Sequence, residues 1–450
     1  MKRLAVPLLL GALLIPPPRA GAYPIDAWTE TGIARLEALR LVQEGSLPGR
    51  ILYYGAQLRD EEIQLRLADR AGFAMPPADP EFTAQVTELL GDDAPYYGVA
   101  VLDLTDPDHP RYAAHNPGML QNPGSVGKIA VALGWFQALA DVYPDDLDAR
   151  RRILRETQVT ADDFIRVDEH DVPFWSPGDP EIGKRPIREG DTANLWTWLD
   201  WMCSASSNAA AATLQKHLIL LKRFGTAYPV PPETAARFFK ETPKATLGRI
   251  FQDAMVGPLE RNGLDPAALR QGSFFTRTGK AHVPGNSSHA SAAELARYML
   301  LMEQGQLVDR WSSLEIKKLL YLTEGRARYA SSPALYDWAV YYKSGSLYSC
   351  RPEPRFVCEK YHGNKLNYLN SVAMVERVDQ KQKLHYVAAV LSNVLRKDSA
   401  ELHQALATRI HELIGAMHRA PSEAEREPGA LPDPESLPWR KPSPDPETGS

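Results

Sequence analysis

The chain has 450 residues, 44% apolar and 24% charged, enough to bury a sizeable core in one large or two modest domains. A net charge of −5, with both signs interleaved along the chain, argues against nucleic-acid binding as its main role. Three cysteines, none at zinc-site spacing with histidines, leave no metal or cofactor expected.

In chain order, residues 1–22 read as an export signal. Met1-Lys2-Arg3 is positive, Leu4 to Ile15 is mostly apolar, and Ala20-Gly21-Ala22 supplies small residues for cleavage. This stretch is too short to span a bilayer, and nothing later reaches the roughly 20 apolar residues a span needs. The expectation is a mature chain starting near Tyr23, periplasmic or extracellular, without a membrane span. An uncleaved anchor is the alternative, because Pro16-Pro17-Pro18 crowds the cleavage region. Residues 23–95 read as a mostly helical extension, with Ile33, Leu36 and Leu39 at near-helical spacing, and carry no visible chemistry.

Tyr97 to Leu104 reads as a strand, and Arg111 to His115 as its hairpin partner across the turn Thr105 to Pro110. The apolar run from Ile129 to Phe136 predicts a core helix opened by Ser125-Val126-Gly127-Lys128. A loop rich in Pro, Gly and Asp covers 168–191, and its patch Asp168-Glu169-His170-Asp171 reads as solvated rather than as a cation site. Helices are expected over Leu195 to Met202, from Ala209, over Ala290 to Gln304 and around Leu402 to Ile414. Late strands are expected at Ser371 to Val378 and Leu384 to Leu391. From Ala420 onward, Pro, Glu and Ser dominate and predict a disordered tail over 419–450. Strands at both ends of the core with helices between them predict an α+β domain, its antiparallel sheet built from the two termini.

Three short segments carry chemistry. Ser125 and Lys128, three apart on a helix, share a face and put an amine beside a hydroxyl. Partial burial would disfavour the charged amine and make it a base for that hydroxyl. Ser206-Ser207-Asn208 lies between two helices, where a hydroxyl and an amide can project together into a cleft. Lys343-Ser344-Gly345-Ser346 follows the β-type run Trp338 to Tyr342 and belongs at the end or edge of a strand. Cys350 and Cys358 are close together in a loop-like, exported segment, so a disulfide is expected between them, while Cys203 reads as a buried thiol.

In this order, S-x-x-K, S-x-N and K-S-G resemble the triple signature of the penicillin-recognising serine enzymes, the class A β-lactamases and penicillin-binding proteins. The resemblance covers roughly residues 96–418. It implies a β-lactamase/transpeptidase-like α+β fold: an antiparallel sheet flanked by helices, plus a helical subdomain carrying the nucleophile. By that resemblance Ser125 attacks a carbonyl carbon with Lys128 as base, and Ser206 relays a proton beside Lys343. Asn208 holds Lys128 and the substrate amide. The backbone N–H groups of Ser125 and Ser346 form the oxyanion hole. Ser344, Gly345 and Ser346 face a substrate carboxylate. The implied partner is a β-lactam or a peptidoglycan peptide, with cell-wall association, and no nucleic acid. A D-alanyl-D-alanine carboxypeptidase and a non-turnover sensor of cell-wall peptides are alternatives.

Class A β-lactamases also carry E-x-x-L-N after the second motif, whose glutamate positions the water that releases the acyl group. No such motif lies between Asn208 and Lys343; Glu233 and Glu241 fall in that region without its neighbours, and Glu241 is the candidate base. Thr276-Arg277-Thr278-Gly279-Lys280 is neither a phosphate loop nor a third motif, since Lys280 follows the glycine and Ala281 replaces the Ser/Thr. Arg351 and Arg355 are candidates for binding a carboxylate.

Overall fold

A computed structural model describes residues 24–166, 168–322, 325–377 and 383–419. The expected export signal at 1–22 and the expected tail beyond 419 lie outside the described residues.

Five strands, β1 (Tyr97–Asp103), β2 (Arg111–His115), β3 (Ala339–Ser349), β4 (Leu366–Glu376) and β5 (His385–Asn393), form one antiparallel sheet in the order β2-β1-β5-β4-β3. The central strands are near-continuous apolar runs because both sheet faces are buried. Ala100 and Leu102 of β1, Val372 and Met374 of β4, and Val387 and Ala389 of β5 face one core. Their neighbours Val99, Val101, Ala373, Val375, Ala388 and Val390 face a second core. The alternation is the two-residue period of a pleated strand. The β4 strand starts five residues before the expected Ser371, where Leu366 pairs with Ser349 of β3.

The second core is closed by helices α2 (Pro80–Glu88) and α10 (Ser399–Met417). The first is closed by a helical layer: α1 (Ala34–Gln43), α3 (Lys128–Val142), α4 (Leu195–Cys203), α5 (Asn208–Phe224), α6 (Pro232–Glu241), α7 (Lys244–Arg261), α8 (Ala292–Glu303) and α9 (Arg310–Tyr321). Helix α3 is apolar on all sides from Ile129 to Phe136 because that part runs through the middle of this layer. Its Val131, Leu133 and Phe136 are fully buried, each contributing about 1.5–3 kcal/mol. Gly134 lets α7 approach, since a Cβ there would lie 2.9 Å from the Ala254 carbonyl oxygen.

Between Glu44 and Asp79 the N-terminal region holds only single helical turns among the described residues, less helix than its early periodicity suggests. Gly45, Pro48-Gly49, Gly55 and Pro76-Pro77 interrupt it, so it runs as a strap. Its Ile33, Leu36, Ile63 and Leu67 join the same core as α3. No described helix is long and apolar enough to cross a membrane.

Candidate active site

Three elements converge on a cleft of about 740 Å³ lined by Ser125, Ser206, Asn208, Lys343, Ser344 and Ser346. The Ser125 turn, Gly124–Gly127, leads directly into α3. Gly124 has φ +54, which permits the sharp entry the preceding proline begins. The second segment follows the end of α4. Ser206 takes φ +64, unusual for a non-glycine residue, and Ser207 then caps α5 by accepting from the Ala210 N–H at 3.0 Å. That strained turn aims Ser206 and Asn208 into one space. The third segment sits within β3, an edge strand, rather than at its end.

Gly345 is what lets the first and third segments meet. A Cβ at this position would lie 2.3 Å from both the Pro123 carbonyl oxygen and the Ser125 amide nitrogen. The strand can therefore press against the nucleophile turn only as glycine. The same approach brings the Ser346 amide nitrogen to within 3.1 Å of where a Cβ at Gly124 would lie.

Lys128 is fully buried, with Nζ 2.8 Å from Ser125 Oγ, 2.8 Å from Asn208 Oδ1 and 2.5 Å from the Ser206 carbonyl oxygen. Burial first, and then the neighbouring Lys343 charge, push its amine well below the ordinary lysine range. A neutral amine has two N–H bonds and one lone pair. The carbonyl of Ser206 and the amide oxygen of Asn208 accept the two N–H bonds, which leaves the lone pair for the Ser125 hydroxyl proton. Lys343 Nζ donates to Ser206 Oγ at 2.8 Å, and its amine is pushed down to about 7, chiefly by burial and further by Arg328. Ser206 Oγ lies 3.5 Å from Lys128 Nζ, so one hydroxyl stands between the two amines.

Several contributors were not legible in the sequence. Asp168, expected in a solvated patch, has a buried carboxylate that accepts from Ser207 Oγ and the Ala209 N–H, both at 2.8 Å. It thus clamps the turn that carries Ser206 and Asn208. Burial alone would raise this carboxyl, but His170 at 2.5 Å and the two donors hold it down at about 2. Gln271 packs under Gly127, where a Cβ would meet its Oε1 at 2.1 Å, and the Phe275 ring faces Lys128 Nζ at 4.8 Å. Arg328 projects from φ +54, donating to Ser344 Oγ, to Ser346 Oγ at 3.4 Å and to the Tyr361 hydroxyl at 2.8 Å. Arg328 lines the cleft, whereas Arg351 and Arg355 are exposed and do not.

Glu241 does not come to the cleft: it ends α6 and is solvent-exposed. Helix α6 packs through Phe239 against Phe164, behind the cleft floor rather than on it. Among the described lining residues Glu169, exposed at the rim, is the one carboxylate. Lys280, from the segment set aside as a phosphate loop, also lines the cleft, as part of a helical turn capped by Thr276. Cys350 and Cys358 are joined as a disulfide, and Cys203 is a buried free thiol pushed up to about 12 by burial.

No curated protein matches the chain. Similar solved structures include PBP-A, 14% identical with a TM-score of 0.47 over 76% of this chain and 100% of that one. A beta-lactamase from Sphaerobacter thermophilus DSM 20745 is 12% identical, with a TM-score of 0.49 over 75% of this chain and 99% of that one. A beta-lactamase from Chitinophaga pinensis DSM 2588 is 16% identical, with a TM-score of 0.47 over 75% of this chain and 98% of that one. The sequence family described as "Beta-lactamase enzyme family" matches residues 81–414, about three quarters of the chain. The chain therefore belongs to the beta-lactamase enzyme family and is a beta-lactamase-like serine hydrolase with an α+β fold.

Proposed function

We propose that this protein is an exported acyl hydrolase that takes an acyl group onto Ser125 from β-lactams or related amides and esters bearing a nearby carboxylate. The observation that carries the reading is the buried, uncharged-favouring Lys128 amine, whose lone pair is left for the Ser125 hydroxyl 2.8 Å away. In the first step Lys128 accepts the Ser125 proton as Oγ bonds to the carbonyl carbon. The oxyanion is held by the Ser125 and Ser346 N–H groups. Collapse breaks the C–N bond, and Ser206, recharged from Lys343 or Lys128, passes a proton to the leaving nitrogen. Water or an amine then takes the acyl group from Ser125.

The electrostatics support an anionic substrate. Arg328 donates to three hydroxyls and has no carboxylate partner among the described residues, and Lys343 stands beside it. A half-buried guanidinium without an anion favours binding one. Export is supported by the Cys350–Cys358 disulfide, which persists in oxidising compartments.

A second reading, a D-alanyl-D-alanine carboxypeptidase or a sensor that holds its acyl group, is favoured by one observation. The cleft presents Gln271 and Phe275 near Gly127 and Lys128, and the one carboxylate among its described lining residues, Glu169, is exposed. A fluorescent penicillin followed by mass spectrometry over time separates the readings. Labelling lost in Ser125→Ala supports acylation, and absence of any adduct on folded protein refutes it. Rapid return to free protein favours a β-lactamase; a lasting adduct favours the peptidase or sensor.

A further inference from the structure

Outside the family's three motifs, two non-glycine residues in the left-handed region meet at the cleft: Arg328, φ +54, and Tyr361, φ +72. Such conformations persist only where the surroundings over-determine them, and they concentrate at functional sites. Here the surroundings are unusually complete. The Tyr361 carbonyl oxygen accepts from Ser399 N at 3.1 Å and Ser399 Oγ at 3.3 Å, at the start of α10. Before it, the Cys350–Cys358 disulfide closes the loop that leaves β3. After it, Asn364 ties back to that loop, accepting from Arg351 N at 2.8 Å and donating to the Arg351 carbonyl at 3.0 Å and Glu353 at 2.9 Å.

The held tyrosine does two things to Arg328. Its hydroxyl accepts from Nη2 at 2.8 Å, and its ring lies 5.0 Å from the guanidinium carbon. Nη1 donates to Ser344 Oγ, Nη2 is shared between the tyrosine and Ser346 Oγ at 3.4 Å, and Nε is buried without a hydrogen-bond partner among the described residues. Burial alone would raise the tyrosine hydroxyl, but Arg328, and Lys360 behind it, lower it. Lys360 also lies over the ring, 5.3 Å from its centre. No carboxylate takes part in this arrangement among the described residues.

We propose that Tyr361 is a positioning residue: held by the disulfide-closed loop, it orients Arg328 as a clamp that selects substrates with a carboxylate adjoining the scissile amide. Arg328 touches the substrate anion, and Tyr361 acts through it. This rests on the reading of the cleft as the acyl-donor site but does not need turnover to be tested.

The test is binding of N-acetyl-D-alanine and of N-acetyl-D-alaninamide to the full chain by titration calorimetry, with the amide reporting everything except the anion. The wild type should prefer the carboxylate by about tenfold or more, as hydrogen bonds to charged groups imply. Tyr361→Phe keeps the ring and removes the hydroxyl, and should cut that preference by about fivefold, while Arg328→Ala abolishes it. In the Arg328→Ala background the tyrosine change should add nothing. A wild type without preference, a Tyr361→Phe variant with the wild-type preference, or equal weakening of both ligands would each overturn the proposal. Because this assay involves no acylation, a chain that shows the preference yet never labels Ser125 contradicts the proposed reaction and leaves the clamp standing.

Discussion

Lys128 and Lys343 are both buried amines, and their separate positions set a pH dependence. Lys128 must be neutral to accept the Ser125 proton, so acylation is lost on the acid side as it gains one. Lys343 favours an anionic substrate while charged, and its amine lies at about 7, so that help is lost as pH rises through neutrality. Lys128 is itself lowered by burial and by the Lys343 charge, so acylation of carboxylate-bearing donors should fall on the acid side as Lys128 gains a proton and on the alkaline side as Lys343 loses one near neutrality. An uncharged ester should lack the alkaline fall. A rate still rising into the ordinary lysine range would show that Lys128 is charged in the free site. Gly345→Ala is the sharpest single change to the geometry, because the added methyl meets backbone on the Ser125 turn. Acylation should fall by about 100-fold while the folded circular dichroism spectrum is kept. Retained labelling would mean that β3 and the turn can part without cost.

The turn between α4 and α5 is an element whose shape depends on a distant residue. Asp168 satisfies Ser207 Oγ and the Ala209 N–H from a loop, so it holds the backbone that presents Ser206 and Asn208. Its carboxyl is lowered to about 2 against an unfolded value near 3.8, so the charged form stabilises the folded state. That contribution is complete above about pH 4 and fades as pH falls toward 2. Asp168→Asn should therefore be less stable than wild type at neutral pH, with the gap closing below pH 4 in denaturant titrations. A gap that stays constant with pH would assign the effect to shape rather than charge. Acylation should also slow in this variant, since the turn it braces carries two partners of Lys128.

At the scale of the molecule, helix α1 and the N-terminal strap after it are part of the body that holds the site. Arg35 meets Asp200 of α4 through two hydrogen bonds of 2.6 Å, both residues buried. Tyr53 stacks on Tyr336 at 3.9 Å, and the Gly55 N–H donates to the Tyr336 carbonyl at 2.9 Å. Arg326 reaches back to the Gly55 carbonyl at 2.9 Å. The strap thus braces the segment from which Arg328 projects, although the family match begins only at residue 81. Arg35→Ala leaves the Asp200 carboxylate buried and unpaired, and should cost about 3–5 kcal/mol by chemical denaturation. A change below about 1 kcal/mol, typical of a surface pair, would show that α1 is peripheral.

Ser125, Lys128, Ser206, Asn208 and Lys343 were legible as a set because the spacing of short motifs along a helix, a turn and a strand is a local property. The sheet was legible for the same reason, since its strands are long apolar runs bounded by turns. The five residues meet only through long-range packing: β3 comes to Ser125 from more than two hundred positions away. Asp168, Gln271, Arg328 and Tyr361 carry no motif, because each acts through one neighbour brought by the fold. Glu241 shows the reverse case, a carboxylate in a suitable stretch of sequence that its helix turns to solvent. Local chemistry is written in residue order, so the sequence by itself determined the family and named Ser125 and Lys128 as candidates. Which charges stand around them depends on contacts between distant segments, and the tertiary structure alone decided that.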